Sequence, residues 1–294
     1  MEERFRPDPK TIESLYTKVE QLNVESRKRS NKLESKIPHD EWLRYMRSVW
    51  GFKETESSAK TGLHPAQFSA ALPMRLLKLY SLMNELVLDP FAGTGTTLEE
   101  AMKLRRFSIG VDVNPEFLSI SEKRVRGHFR HSETTWEPDP EYGPILVLGD
   151  ARELSFLRDN SIHLIITHPP YWNAVKTSDL ESDLCNFDDT EYDLFLEEMK
   201  KAFIQMYKKL KPERVCAVVT GDVMRRVNGV TQLFPIHSDY IQICKQIGFR
   251  LWDLFIWETK IRMSGGKPMM GSYPYPHKLF SEFAHNYILI FRKS

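Results

Sequence analysis

Between Glu85 and Phe291 short apolar, β-branched runs alternate with segments of helical period, which restricts the chain to a doubly wound α/β architecture on a mainly parallel sheet. Strands are expected over 85–89, 107–113, 145–148, 162–167, 214–220, 251–259 and 286–291, and helices over 73–82, 97–104, 115–126, 191–210 and 238–247. Ahead of them, residues 1–60 are polar and charge-rich. Helices are expected there over 13–33, with the basic centre Arg27-Lys28-Arg29, and over 40–50, with Trp42, Tyr45, Met46, Val49 and Trp50 at helical spacing after the start signal Pro38-His39-Asp40. A linker-like stretch over 53–62 follows, so the chain divides into a small N-terminal helical extension, 1–60, and a main domain, 61–294.

With 294 residues, 41% of them hydrophobic, the chain can bury a sizeable core. No apolar run approaches the ~18 residues of a membrane-spanning helix, and Met1 to Arg6 has no signal-peptide character, so no membrane partner is expected. Cys185, Cys216 and Cys244 are odd in number and lack CxxC spacing, which argues for a reducing cytoplasm and against a disulfide framework or metal site. A net charge of +1 gives no global attraction to nucleic acid, so a polyanion must be met by a local patch.

Two segments carry chemistry. The run Asp89-Pro90-Phe91-Ala92-Gly93-Thr94-Gly95-Thr96-Thr97 joins a strand to a helix through glycines that allow close backbone approach or positive φ. Free N–H groups there favour carboxylate or phosphate. Leu98 stands where a dinucleotide loop wants its third glycine, and no lysine completes a phosphate-binding GK[ST], so both nucleotide loops are disfavoured. Acids end the next two strands. Asp112 can take both hydroxyls of a ribose, and Asp150 can accept from an adenine amino group. Each alone is more often a helix cap or turn residue, and the series at successive strand ends favours the ligand.

The second segment, Thr167-His168-Pro169-Pro170-Tyr171-Trp172, ends the apolar run 162–167. Two prolines fix φ and lack N–H groups, leaving rigid carbonyl acceptors beside two aromatic rings. That suits a flat, amino-bearing ring stacked on Tyr171, and it equally suits a plain strand end with two core aromatics.

Together these residues resemble the S-adenosylmethionine-dependent amino-methyltransferases that modify N4 of cytosine or N6 of adenine in nucleic acid. The Asp89–Thr97 run looks like their cofactor loop and His168-Pro169-Pro170-Tyr171 like their catalytic tetrad. His64-Pro-Ala-Gln-Phe68 with Leu72-Pro73 is similar to the segment covering the methionine end of the cofactor, while Phe255-Ile-Trp-Glu258 and Gly271-Ser-Tyr273-Pro-Tyr-Pro276 look like the cytosine-N4 branch. The resemblance spans about residues 38–292 and departs from the family at His168, where relatives carry Ser, Asp or Asn.

The resemblance implies a Rossmann-like class I methyltransferase fold and S-adenosylmethionine as cofactor, held by His64, Phe68, Asp89, Phe91, Gly93, Gly95, Thr96, Asp112 and Asp150. It implies chemistry at His168, Pro169, Pro170 and Tyr171, with Trp172 and Tyr273 at the base. Arg225, Arg226, Arg262, Lys267 and Lys278 are candidate phosphate contacts, and 222–235 and 260–285 candidate target-recognition loops. The leading expectation is a restriction–modification DNA methyltransferase acting on cytosine N4; the alternatives are adenine N6, a cytidine N4 of structured ribosomal RNA, and a non-catalytic cofactor-binding module. Ring-carbon methylation is disfavoured, because none of the cysteines follows a proline.

Overall fold

A computed structural model describes residues 5–28, 36–52, 69–127, 138–176, 178, 180, 182–259 and 284–294. In chain order the elements are α1 (Pro9–Lys28), α2 (His39–Tyr45), β1 (Val49–Gly51), α3 (Ala71–Tyr80), β2 (Leu86–Asp89), α4 (Thr96–Lys103), β3 (Phe107–Asp112) and α5 (Pro115–Val125). They continue with β4 (Ile145–Leu148), β5 (Ile162–Thr167), α6 (Tyr192–Lys209), β6 (Leu210–Thr220), β7 (Val223–Val227), β8 (Val230–Phe234), α7 (Ile236–Ile247), β9 (Phe249–Glu258) and β10 (His285–Lys293).

Eight strands form one sheet in the order β1-β9-β10-β6-β5-β2-β3-β4. β10 runs antiparallel to both its neighbours, and the other pairs are parallel. β2 and β5 are buried along their whole length, as helices on both faces of a parallel sheet require. Alternate side chains divide between the two faces. Leu86, Leu88 and Ile165 enter the core with Phe195 and Phe203 of α6, whereas Val87, Leu164 and Ile166 pack with Leu72, Leu76 and Leu77 of α3. The chain runs outward from β2 through β3 to β4, then returns to β5 on the opposite side of β2. The order reverses at β2 and β5, and a crevice opens beyond their carboxyl ends.

The N-terminal helix is part of this body. Asp8 accepts from the backbone N–H groups of Lys10 (3.1 Å) and Thr11 (3.2 Å), starting α1 four residues before the expected 13. Ile12, Tyr16 and Val19 then enter the main core, and the Arg158 N–H donates to the Tyr16 hydroxyl at 3.1 Å.

Two expectations are corrected. The helix over 40–50 stops at Tyr45, and Val49–Gly51 instead extends the sheet beside β9. Trp50 decides this: 1% exposed, it stacks on Phe255 (4.4 Å, 28°) and donates from Nε1 to the Tyr45 carbonyl at 3.2 Å. Burial of one large ring outweighs a helical spacing that only local residues satisfy. The expected loop 222–235 contains the antiparallel ribbon β7–β8, turned by Asn228 (φ 50°) and Gly229 (φ 81°). Both turn residues have positive φ, the geometry that a tight hairpin matched to strand twist needs. Residues 260–283, most of the other expected recognition loop, lie outside the described residues.

Trp50→Ala is expected to reduce stability by about 3–5 kcal/mol in urea unfolding, the range for deleting a large buried aromatic. A loss under about 1 kcal/mol would mean that β1 does not depend on this ring.

Candidate active site at the carboxyl edge of the sheet

β2 delivers the chain into the glycine loop, which folds back on the sheet as the Ala92 N–H donates to the Val111 carbonyl at 2.9 Å. Gly95 has φ 79°, and a Cβ there would overlap Ser121 Oγ, so glycine is needed both for the turn into α4 and for its approach to α5. The Arg124 side chain, 3% exposed, donates from Nε to the Thr94 carbonyl (2.8 Å) and pairs with Glu99 (3.0 Å). A buried cation is thereby paired with a loop carbonyl and an acid together, while its Nη2 is left without a partner among the described residues.

Asp112, at the end of β3, accepts from the Gly93 N–H (2.7 Å) and the Asn114 N–H (2.9 Å). Burial pushes its carboxyl up to about 6; the two backbone donors oppose the rise and Asp183 adds to it. Asp89 is 1% exposed, and burial pushes it to about 7 against the Thr97 hydroxyl and the Phe91 N–H (3.2 Å), with nearby Asp112 raising it further. Asp150 is gripped by the fork of Arg152, whose Nε lies 2.9 and 3.0 Å and whose Nη2 lies 2.5 Å from the carboxylate. Arg152 Nη1 reaches Glu198 at 2.5 Å, so Asp150 is oriented through α6.

β5 ends in the double proline. His168 Nε2 lies 2.6 Å from the Tyr171 hydroxyl, and the Tyr240 hydroxyl donates to the Pro170 carbonyl at 3.4 Å. Gly221, just past β6, backs Tyr171: a Cβ there would come 2.8 Å from Tyr171 Cε2.

A cleft of about 190 Å³ brings together Phe91, Gly93, Thr96, Asp112, Asp150, His168, Pro169, Pro170 and Tyr171, nine of the expected residues from four different strand ends. Asp89 and Gly95 stand outside its lining, beneath the loop they shape. Trp172 is corrected from base contact to core. It is fully buried at φ 52°, between Tyr192 (5.1 Å) and Phe234 (4.8 Å), so its ring anchors the turn. Arg225, a candidate phosphate contact, is also a tether, since it donates to the Asn173 side chain (3.0 Å) and carbonyl (3.1 Å). Arg226 is exposed on the ribbon, with Nε on the Gly229 carbonyl at 3.1 Å. His64, Phe68, Arg262, Lys267, Tyr273 and Lys278 lie outside the described residues.

The cleft also holds residues that the sequence reading did not find. Phe117 faces it from the first turn of α5, where Asn114 Oδ1 caps the helix by accepting from the Glu116 N–H (2.9 Å). The Asn-Pro start was legible, but not the direction of that ring. Ser182, Asp183 and Leu184 close one side from a segment without regular structure; Asp183 holds it by accepting from the Ser178 hydroxyl (2.6 Å) and the Cys185 N–H (3.1 Å). No periodicity marks such a segment. Among the described residues no cluster of metal-ligating side chains occurs.

A doubly wound sheet with an acid-rimmed glycine loop beside a His-Pro-Pro-Tyr turn defines a Rossmann-like fold with a cleft at its switch point. The sequence profile described as DNA methylase, covering N6 and N4 amino-methyltransferases, matches residues 3–123 and 162–294, and the chain belongs to that family. It is 31% identical over 170 residues to the Type II methyltransferase M.MjaI of Methanocaldococcus jannaschii, covering 50% of this chain and 55% of that protein. It is 30% identical over 156 residues to M.MthZI of Methanothermobacter thermautotrophicus, covering 49% and 43% respectively, so it spans about half the length of these relatives. A putative DNA modification methylase of Thermus thermophilus, solved with S-adenosyl-L-methionine, aligns over 49% of this chain and 51% of its own at 30% identity and a TM-score of 0.37.

Asp89 yields a prediction whose sign is fixed. Its carboxyl stays protonated to about 7 in the folded chain but ionises near 3.9 when unfolded, so its contribution to stability declines as pH rises from about 4 to about 7. Asparagine resembles the protonated acid at every pH. Urea unfolding is therefore expected to find the wild type losing ground to Asp89→Asn across that window, by on the order of 1–3 kcal/mol. A difference independent of pH would show that Asp89 is not buried as a neutral acid.

Proposed function

We propose that this protein is a DNA methyltransferase that moves a methyl group from S-adenosylmethionine to an exocyclic amino nitrogen, with cytosine N4 as the favoured target. The observation that carries this is the convergence of Gly93, Asp112 and Asp150 with His168-Pro169-Pro170-Tyr171 in one cleft. Its donor set suits the cofactor. Asp112 offers a carboxylate for ribose hydroxyls, Asp150 an oriented acceptor for an adenine amino group, and the Phe117 ring apolar cover. With Asp112, Asp150 and Asp183 lining the cleft, the site favours a sulfonium cation over the phosphates of a dinucleotide. When bound, the cofactor supplies a methyl carbon that the sulfonium makes electrophilic.

The protein's own work falls on the substrate amine, a poor nucleophile because its lone pair is delocalised into the ring. The Pro169 carbonyl and a neutral His168 ring accept its two hydrogens, which returns the lone pair to nitrogen, and the rigid turn holds it in line. Tyr171 supplies the stacking face for an extruded base. The β7–β8 ribbon, tied by Arg225 to Asn173, carries Arg226 towards the duplex as a phosphate contact.

Methyl transfer from labelled cofactor to DNA and ribosomal RNA in parallel, followed by nucleoside mass spectrometry, tests the reading. N4-methyldeoxycytidine is expected; N6-methyldeoxyadenosine would reassign the base, and product in RNA alone would reassign the polymer.

Two variants sharpen it. Protonation removes the His168 acceptor, so single-turnover rates are expected to fall as the pH drops below neutrality, although Asp112, Asp150, Asp183 and the Tyr171 hydroxyl also line the cleft. His168→Asn keeps an acceptor at every pH and should flatten that limb, while His168→Ala should cost about 10²–10⁴-fold. An unchanged acid limb in His168→Asn would remove the ring from the chemistry. Arg226→Ala is expected to weaken DNA binding and reduce its salt slope by about one, with S-adenosylmethionine binding unchanged by calorimetry.

A further inference from the structure

We propose that the Tyr171 hydroxyl is the resting occupant of the His168 acceptor, a stand-in for the substrate N–H that a target amino group must displace; this rests on the amino-methylation reading above. The hydroxyl oxygen lies 2.6 Å from Nε2, with the two rings edge-on at 71° and their centroids 5.2 Å apart. Burial raises the Tyr171 phenol far above its ordinary value, so the hydroxyl keeps its hydrogen and has it to offer to Nε2. Among the described residues the side-chain partner of that hydroxyl is His168 Nε2. A neutral imidazole that accepts through Nε2 carries its own proton on Nδ1.

The contact is built in by packing. Gly221 lies so close behind the Tyr171 ring that a Cβ would come within 2.8 Å of Cε2, and the Ala174 N–H donates to the Tyr171 carbonyl at 3.0 Å. The turn therefore presents the hydroxyl to Nε2 without help from a ligand. Serine or a carboxylate at position 168 would offer further lone pairs beside one taken by Tyr171. A neutral imidazole has a single acceptor, so here hydroxyl and substrate compete for the same electron pair. One neutral hydrogen bond replaces another when the base arrives, which makes the exchange reversible and small in cost. A base stacked on the ring face displaces the hydroxyl edge from Nε2 and brings its own amino hydrogen there. A ligand that does not stack leaves the acceptor covered.

Histidine-selective ¹⁵N labelling of the full chain, with the resonance among 9 histidines assigned through His168→Asn, tests the resting state directly. The wild type is expected to show a neutral His168 protonated on Nδ1, with Nε2 hydrogen-bonded, and Tyr171→Phe to lose that hydrogen-bond shift. A proton on Nε2 in the free wild type overturns the proposal. Tyr171→Phe keeps the stacking ring and removes the competitor, so KM for the methylated polymer should fall about three- to tenfold. An unchanged or raised KM also overturns it. Were no nucleic acid methylated at all, the functional reading would fall, while the nitrogen spectra would still decide whether the hydroxyl occupies the ring.

Discussion

Asp112 holds the site together through two partly buried backbone hydrogen bonds. Its carboxyl takes the Gly93 N–H at 2.7 Å and the Asn114 N–H at 2.9 Å, joining the glycine loop after β2 to the start of α5 after β3. Its own carbonyl accepts from the Gly149 N–H at 3.0 Å, which brings in the loop after β4. Three crossover connections are thus referenced to one residue. A parallel sheet leaves its carboxyl-end loops without ladder partners, and a shared acceptor supplies them. The cost is a partly buried acid whose ionisation is pushed up to about 6, near the range in which the site must carry charge.

The His168–Tyr171 turn is stabilised differently, by apolar packing beneath it. After two prolines the chain must reverse, and Trp172 does so at φ 52°, a conformation that a bulky residue adopts only when its surroundings compensate. The compensation is aromatic: Trp172, Tyr192 and Phe234 pack with centroid separations of 4.7–5.1 Å, joining the turn to α6 and β8. The residue that the sequence reading offered to the base is therefore the one that keeps Tyr171 and His168 in place.

What was legible followed from periodicity and punctuation. Ile145–Leu148 and Ile162–Thr167 stand at the expected limits, because a β-branched run bounded by turn residues has few other ways to be buried. Asp112 and the glycines could be located because strand-end loops follow from strand positions. What was hidden depends on tertiary neighbours. Nothing local separates Trp50 in a strand from Trp50 on a helix until Phe255 is across from it. Arg225 reads as a surface cation until Asn173, 52 positions earlier, takes its guanidinium. The ribbon is a different case. Its Asn228-Gly229 signal was present between two alternating runs and went unread beside stronger helix patterns.

Charge accounting then bears on how a nearly neutral chain could meet a polyanion. Several arginines are already committed to partners within the chain. Arg124 serves Glu99 and the glycine loop, Arg152 serves Asp150 and Glu198, and Arg214 serves Glu85. Arg106 is surrounded by the carbonyls of Ser81 and Leu104, and burial pushes it down to about 10. These cations lend little field to the surface, so a net charge of +1 understates how local any basic contact must be. The β7–β8 ribbon offers such a contact in Arg226, while Arg225, one residue earlier, is bonded to Asn173, which itself donates to Asp189 at 2.7 Å. Neighbouring arginines thus divide two tasks, one facing outward and one fixing the ribbon to the turn that begins at His168. The ribbon is thus joined through Asn173 to the residues next to the His168–Tyr171 turn, which places the proposed target contact and the proposed chemistry at one edge of the sheet.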